Sequence, residues 1–209
     1  MSAVVVVLDY GYEFDDLLIA ALESSGAQVE VSADSAKVQA ADGLVIVGQE
    51  DFQSVMKSLK KVRAPDLVDR RLAGGKAVLG ISAGIQIMFE ELFDDDILTE
   101  GLGQWPGAVQ KLKSSQFQDS PWRGVSAAVD SKLFHGIENE LFYFANSCAA
   151  TEFPLQVEPP FIAPLLTFSN YGEKHIAAVE NGPLTGVQFH PEKSGDAGIA
   201  LLRNWLAAF

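Results

Sequence analysis

Two short stretches carry residue types that could do chemistry together. Gly80-Ile81-Ser82-Ala83-Gly84 has the G-x-S-x-G form. On a strand-to-helix turn this spacing makes a nucleophile elbow: the turn is so tight that its centre is strained and its flanks must be small. Ser82 then stands clear of the sheet, above a helix N-terminus whose amide hydrogens favour an anion. A glycine-rich strand end also occurs as plain packing, so the pattern alone leaves both readings open. The second stretch is Gly186-Val187-Gln188-Phe189-His190-Pro191-Glu192-Lys193-Ser194. A strand ending at His190 would project the ring from the carboxyl edge of a sheet, where α/β proteins bind ligands. Glu192 could hold the imidazole in one tautomer and stabilise its charged form. A bare His-Pro-Glu reads more readily as an exposed histidine beside a solvated glutamate at a loop.

These residues need a scaffold, and the hydrophobic pattern supplies one. Ala3 to Leu8 is a β-branched run that reads as a strand buried on both faces, as in a parallel sheet. Phe14, Leu17, Leu18, Ala21 and Leu22 follow at helical spacing, with Gly26 as the stop. Further strands are expected at Gln28 to Ser32, Leu44 to Val47 and Lys76 to Ile81. Helices are expected at Phe52 to Leu59 and Pro65 to Leu72. After the elbow, Ile85, Met88, Phe89 and Leu92 suggest one continuous helix. From Gly107 to Ala178 the chain breaks into short candidate strands, at Val109 to Leu112, Gly124 to Ala128, Leu141 to Ala145, Leu165 to Ser169 and Ile176 to Val179. Gly186 to Phe189 is a last strand. Asp196 to Ala208 is a final helix that Asp196 could cap. The β-α-β rhythm implies right-handed crossovers and an α/β fold of three layers: a mostly parallel central sheet, helices on both faces and an antiparallel portion. With no linker, residues 1–209 are expected to form a single domain.

The formal net charge is −13, which disfavours nucleic acid, since a binder needs positive charge to displace counterions from phosphates. No segment is long and apolar enough to suggest a membrane partner, and the apolar run at the start is too short for a signal peptide. One cysteine, Cys148, can form neither an internal disulfide nor a cysteine metal cluster, and it suits a cytoplasmic setting. His135, His175 and His190 are scattered without ligand spacing, so no metal is expected. Glu90, Glu91 and Asp94 to Asp96 read as a solvated helix end, and Phe142, Tyr143 and Phe144 as an alternating core strand.

Taken together, the elbow and the His-Pro-Glu stretch resemble the class I glutamine amidotransferases. Asp9-Tyr10-Gly11, Glu100-Gly101-Leu102-Gly103, Trp105-Pro106-Gly107, Phe142-Tyr143-Phe144 and Ala177-Ala178-Val179-Glu180-Asn181-Gly182 narrow the likeness to the glutaminase subunits of imidazole glycerol phosphate synthase, in histidine biosynthesis. The resemblance runs in order along nearly the whole chain. It implies a flavodoxin-like sheet and no cofactor. It also implies glutamine as substrate and, as partner, a separate (β/α)8 cyclase to which ammonia passes. The triad positions fall on Ser82, His190 and Glu192. Gln86 matches the glutamine that helps hold the substrate, and Gly48 and Ala83 fall where the substrate and its oxyanion are met.

Five places depart from the family pattern. Ser82 stands where the family has cysteine, and a serine hydroxyl, unlike a thiol of pKa about 8.5, must be deprotonated as it attacks. The P-G-V-G oxyanion loop reads Val47-Gly48-Gln49-Glu50-Asp51; a lost amide donor there is worth about 3–4 kcal/mol of barrier, and a carboxylate facing the oxyanion opposes it further. P-H-M-G-W-N reads Gln118-Asp119-Ser120-Pro121-Trp122-Arg123. H-S reads Asn146-Ser147, and D-Y-G-x-G-N reads Asp9-Tyr10-Gly11-Tyr12-Glu13-Phe14. The fold is kept while the glutamine site changes. The resemblance therefore implies a glutaminase-like chain that has lost glutamine hydrolysis. The alternatives are an active glutaminase subunit with a modified nucleophile, a serine hydrolase using Ser82 and His190, and a non-catalytic binding module.

Overall fold

A computed structural model describes residues 2–13, 16–48, 51–113 and 120–209, with the side chain of Tyr171 excepted. The chain opens β1 (Val4–Leu8), α1 (Asp16–Ser24), β2 (Gln28–Ser32), α2 (Ser35–Ala40), β3 (Gly43–Gly48), α3 (Phe52–Lys61), α4 (Ala64–Ala73) and β4 (Ala77–Ser82). It continues through α5 (Ala83–Gln86), β5 (Phe89–Asp94), β6 (Ile97–Glu100), β7 (Trp105–Lys111), β8 (Trp122–Arg123), β9 (Phe142–Tyr143) and β10 (Cys148–Ala150). It closes with β11 (Leu165–Tyr171), β12 (Glu173–Asn181), β13 (Leu184–Val187), a 3₁₀ turn (Pro191–Lys193) and α6 (Gly195–Leu206).

The main sheet runs in the order β11-β12-β13-β4-β3-β1-β2. From β13 to β2 all neighbours are parallel, and β12 and β11 add an antiparallel edge. Its inner strands β1, β3 and β4 are apolar on both faces because both faces are covered. Val6, Leu8, Leu44, Ile46 and Val78 point to one side and pack with Val38, Phe52, Met56, Leu59 and Val68 of α2, α3 and α4. Val5, Val7, Val45, Val47, Leu79 and Ile81 point to the other and pack with Leu18 and Leu22 of α1 and Leu201, Leu202 and Trp205 of α6. Each such side chain contributes roughly 1.5–3 kcal/mol on burial, and strict alternation lets one strand feed both layers. A second, four-stranded sheet, β10-β7-β5-β6, lies beside the first layer, and β8 pairs with β9. The α/β architecture read from the sequence is present. Among the described residues no helix is long and apolar enough to cross a membrane.

Several local expectations need correction. The helix after the elbow ends at Gln86, and Phe89–Asp94 is a strand paired to β6 and β7. An irregular register between Phe89 and Glu91 breaks the strand's alternation, so buried Phe89 and Leu92 lie three apart and imitate a helix. Glu90, Glu91 and Asp94 therefore belong to a strand leading into a hairpin, not to a helix end. The β5–β7 pair is parallel, so the smaller sheet is mixed. The hydrophobic pattern gives no sign of α2; its signal is Asp34, which caps it by accepting from the Lys37 amide at 2.9 Å. The final helix is capped by position at Ser194, with Asp196 inside its first turn. Of Gly124 to Ala128, only Ser126 pairs, in a single bridge to Phe168. Phe142 and Phe144 are buried core residues, as the alternation implied. Phe14, expected in the first helix, lies outside the described residues.

Candidate active site

Ser82 ends β4 and precedes α5 with φ 57° and ψ −119°, a conformation that costs a non-glycine residue on the order of 1–3 kcal/mol. The surroundings enforce it. A Cβ on Gly80 would lie 2.4 Å from the Gly84 carbonyl oxygen, and one on Gly84 would lie 2.0 Å from that of Ile46. Only two bare backbones let α5 press so closely onto β3 and β4. The strand-to-helix elbow expected from the sequence is thus present. Ser82 is 7% exposed, and Ala83 is fully buried.

β13 lies directly beside β4, with Val187 opposite Ile81, so the elbow and the His-Pro-Glu turn leave the same sheet edge side by side. β13 itself stops at Val187, and His190 follows three residues later at the head of the 3₁₀ turn. Its Nδ1 lies 2.6 Å from Glu192 Oε1, with both side chains largely buried. A carboxylate can only accept, so Nδ1 carries the hydrogen and Nε2 is left as the proton acceptor. Glu192 Oε2 is buried with no hydrogen-bond partner among the described residues, which keeps the imidazole as the carboxylate's main partner. Tyr143 presents its ring edge-on to His190 and is itself covered edge-on by half-exposed Trp122.

The other expected site residues divide. Gly48 is the register partner of Ser82. A Cβ there would lie 3.0 Å from the Tyr10 hydroxyl and 3.4 Å from the Ala83 Cβ. That hydroxyl donates to the Val47 carbonyl at 2.6 Å, tying the end of β1 to the end of β3. Burial, helped by Tyr12, pushes its pKa well above the ordinary phenol value, so it stays a donor. In the sequence Tyr10 stands out only as part of a motif; its place just past a strand end is the available signal. Asp51 caps α3, accepting from the Ser54 amide at 3.1 Å, and the Ser54 hydroxyl, with that amide second, holds its carboxyl below the usual range. Its charge is therefore committed to a helix N-terminus. Gln49 and Glu50 of the same loop, and Gln118 and Asp119, lie outside the described residues.

Gln86 is 1% exposed, and its Nε2 donates to the Cys148 carbonyl at 2.7 Å. Asn146 Nδ2 donates to the same oxygen at 3.0 Å. Cys148 does lie in the second sheet, away from the elbow as its sequence position suggests, yet its backbone is tied to the residue four places after Ser82. His175, scattered from the other histidines in sequence, is fully buried, edge-on to Phe144, with Nδ1 on the Glu173 carbonyl at 3.2 Å. Burial holds its pKa below the ordinary value. Among the described residues no three His, Cys, Asp or Glu side chains converge as a metal site would require.

With an elbow and a carboxylate-oriented histidine on one sheet edge, the comparisons with known proteins fall into place. The crystal structure of a glutamine amidotransferase superposes with a TM-score of 0.73 at 18% identity, covering 98% of this chain and 99% of that one. The crystal structure of a glutamine amidotransferase from Thermotoga maritima gives 0.63 at 13% identity, covering 99% and 97%. These likenesses carry the fold. The family model "Glutamine amidotransferase class-I" matches residues 6–209. The chain is 44% identical over 208 residues to the imidazole glycerol phosphate synthase subunit HisH of Leifsonia xyli, covering all of both chains. It is 45% identical over 207 residues to the HisH subunit of Renibacterium salmoninarum, covering 99% of this chain and 94% of that one. The chain belongs to the class-I glutamine amidotransferases and, within them, to the HisH family.

Proposed function

We propose that this protein is a HisH-type subunit that keeps the family's fold and docking role but does not turn over glutamine at a glutaminase's rate. In this reading 1–209 is one domain of a cytoplasmic imidazole glycerol phosphate synthase in histidine biosynthesis, and its partner is a (β/α)8 cyclase. The observation that carries the reading is the hydroxyl of Ser82 at the elbow. A thiol near pKa 8.5 ionises readily beside an imidazole, whereas a serine hydroxyl must lose its proton during attack. The commitment of the Gln86 Nε2 to the Cys148 carbonyl supports the same reading, because that donor is not presented to a substrate.

In the family's reaction, as mapped here, the nucleophile at position 82 attacks the side-chain amide of glutamine. His190 Nε2 takes the nucleophile's proton and returns it to the leaving ammonia, and Glu192 steadies the imidazolium. Water then releases glutamate. Gly48 and Ala83 are assigned to the carbonyl oxygen.

A second reading is favoured by one observation: Ser82 retains the strained elbow backbone, and His190 and Glu192 remain paired at 2.6 Å. That is the frame of a working glutaminase. Ammonia release from glutamine, by this chain and by Ser82→Cys, each with and without a cyclase partner, decides between them. The non-hydrolysing reading expects no turnover on the seconds timescale from the native chain. It fails if the native chain releases ammonia at that rate. Recovery in Ser82→Cys would locate the loss in the one atom; silence would assign it also to the altered loops.

A further inference from the structure

We propose that Ser194 is a positioning residue for His190. Ser194 occupies the N-cap of α6, where a serine ordinarily turns its hydroxyl onto the first free amides of the helix. Here it makes no such bond. Its Oγ donates instead to the carbonyl of His190 at 2.6 Å and accepts from the amide of Tyr143 at 3.0 Å. The amide of His190 in turn donates to the carbonyl of Tyr143 at 2.8 Å. These three bonds close a ring through β9, Ser194 and the main chain of His190, and Ser194 is 3% exposed.

The ring matters because His190 has left the sheet. β13 ends at Val187, so the ladder no longer fixes the histidine's backbone, and its ring direction follows from whatever holds residues 190–194. On one side α6 presses on the turn: a Cβ on Gly198 would lie 1.8 Å from the Pro191 carbonyl oxygen. On the other side the Ser194 hydroxyl joins the turn to β9, whose Tyr143 ring also faces the imidazole. The His190–Glu192 pair spans only two residues, so a small rotation of this turn would separate Nδ1 from its carboxylate. A cap bond is forgone to prevent that rotation.

The test needs no turnover, so its outcome stands apart from the glutaminase reading. The Nδ1 proton of His190 is observed by NMR in the full chain and assigned by its absence in His190→Gln. In the native chain it is expected to be protected from exchange by Glu192. Ser194→Ala is expected to expose it, with exchange faster by roughly tenfold, the scale of leaving one buried donor unpaired. Ser194→Thr, which keeps the hydroxyl, is expected to restore protection. Should the alanine variant not fold, Ser194→Cys tests the same point at nearly the same volume with a weakly bonding thiol. The proposal is overturned if Ser194→Ala or Ser194→Cys lowers the melting temperature while the Nδ1 proton stays protected. It is also overturned if Ser194→Thr loses protection as alanine does, or if the native chain shows no protected Nδ1 proton.

Discussion

The two sheets of this molecule are held to different standards. In the main sheet, β3 and β4 are buried at every residue, and their carboxyl ends approach α5 with no room for a single added methyl group. In the second sheet, β5 and β6 carry exposed charge, the register between β5 and β7 is irregular, and Gln86 bonds across to the Cys148 carbonyl. This chain's departures from the family pattern follow a different division, between the buried strands and the segments that leave them. Position 82 apart, the altered places lie in the segments after β1 and β3, around β8 and just before β10. Close packing leaves little room for change in the buried strands, whereas exposed connecting segments tolerate it.

That contrast can be broken first at Gly84. Replacing it with alanine drives a Cβ to 2.0 Å from a backbone carbonyl oxygen that cannot move without β3. Gly84→Ala is expected to cost about 3 kcal/mol or more, at the upper end of overpacking. Denaturant unfolding measures this, and a cost under about 1 kcal/mol would show that the elbow is not so tightly built.

Next in size is the response to acid. His175 is neutral in the folded chain because burial holds its pKa below about 6.5, its ordinary value in the unfolded chain. Below that pH the unfolded state takes up a proton that the folded state refuses, so stability falls with pH from about 6.5 downward and is level above it for this group. His175→Phe, which keeps an edge-on contact to Phe144, is expected to flatten that part of the pH profile; an unchanged slope between about pH 5 and 7 would move the effect to other groups.

Smaller effects compare the two sides of the site. Tyr10→Phe removes the bond to the Val47 carbonyl in the main sheet and should cost about 1 kcal/mol or slightly more, with faster amide exchange near Gly48. Gln86→Met removes a donor from the Cys148 carbonyl, which keeps Asn146, so a cost of about 0.5–1 kcal/mol is expected by thermal unfolding. If Gln86→Met costs more than Tyr10→Phe, the second sheet is tied more strongly than the contrast allows. Asp51→Ala loses a helix cap worth about 1 kcal/mol. It is expected to leave ammonia release by the Ser82→Cys chain unchanged, because the carboxylate faces α3.

Much of the main sheet was legible because each strand's own residues state their environment. A run such as Leu44 to Val47, apolar on both faces, can only be sandwiched, and Gly80, Ser82 and Gly84 mark the elbow through steric needs that are purely local. The His190–Glu192 pair was legible only through the family resemblance, since a bare His-Pro-Glu serves a solvated loop as well. The sequence misled where burial came from a distant partner. Phe89 and Leu92 share a core through an irregular strand register, yet the same spacing serves a helix equally well. Cys148 belongs beside Gln86 only because 62 residues of chain return to it. Asp51 became a cap and not a threat to an oxyanion once α3 began directly after it. What the sequence determined, then, was local: strand type, turn strain and the chemistry on offer. Which polar groups spend their hydrogen bonds on one another was decided only when separate strands met, because a donor's partner is chosen by proximity in space and not along the chain.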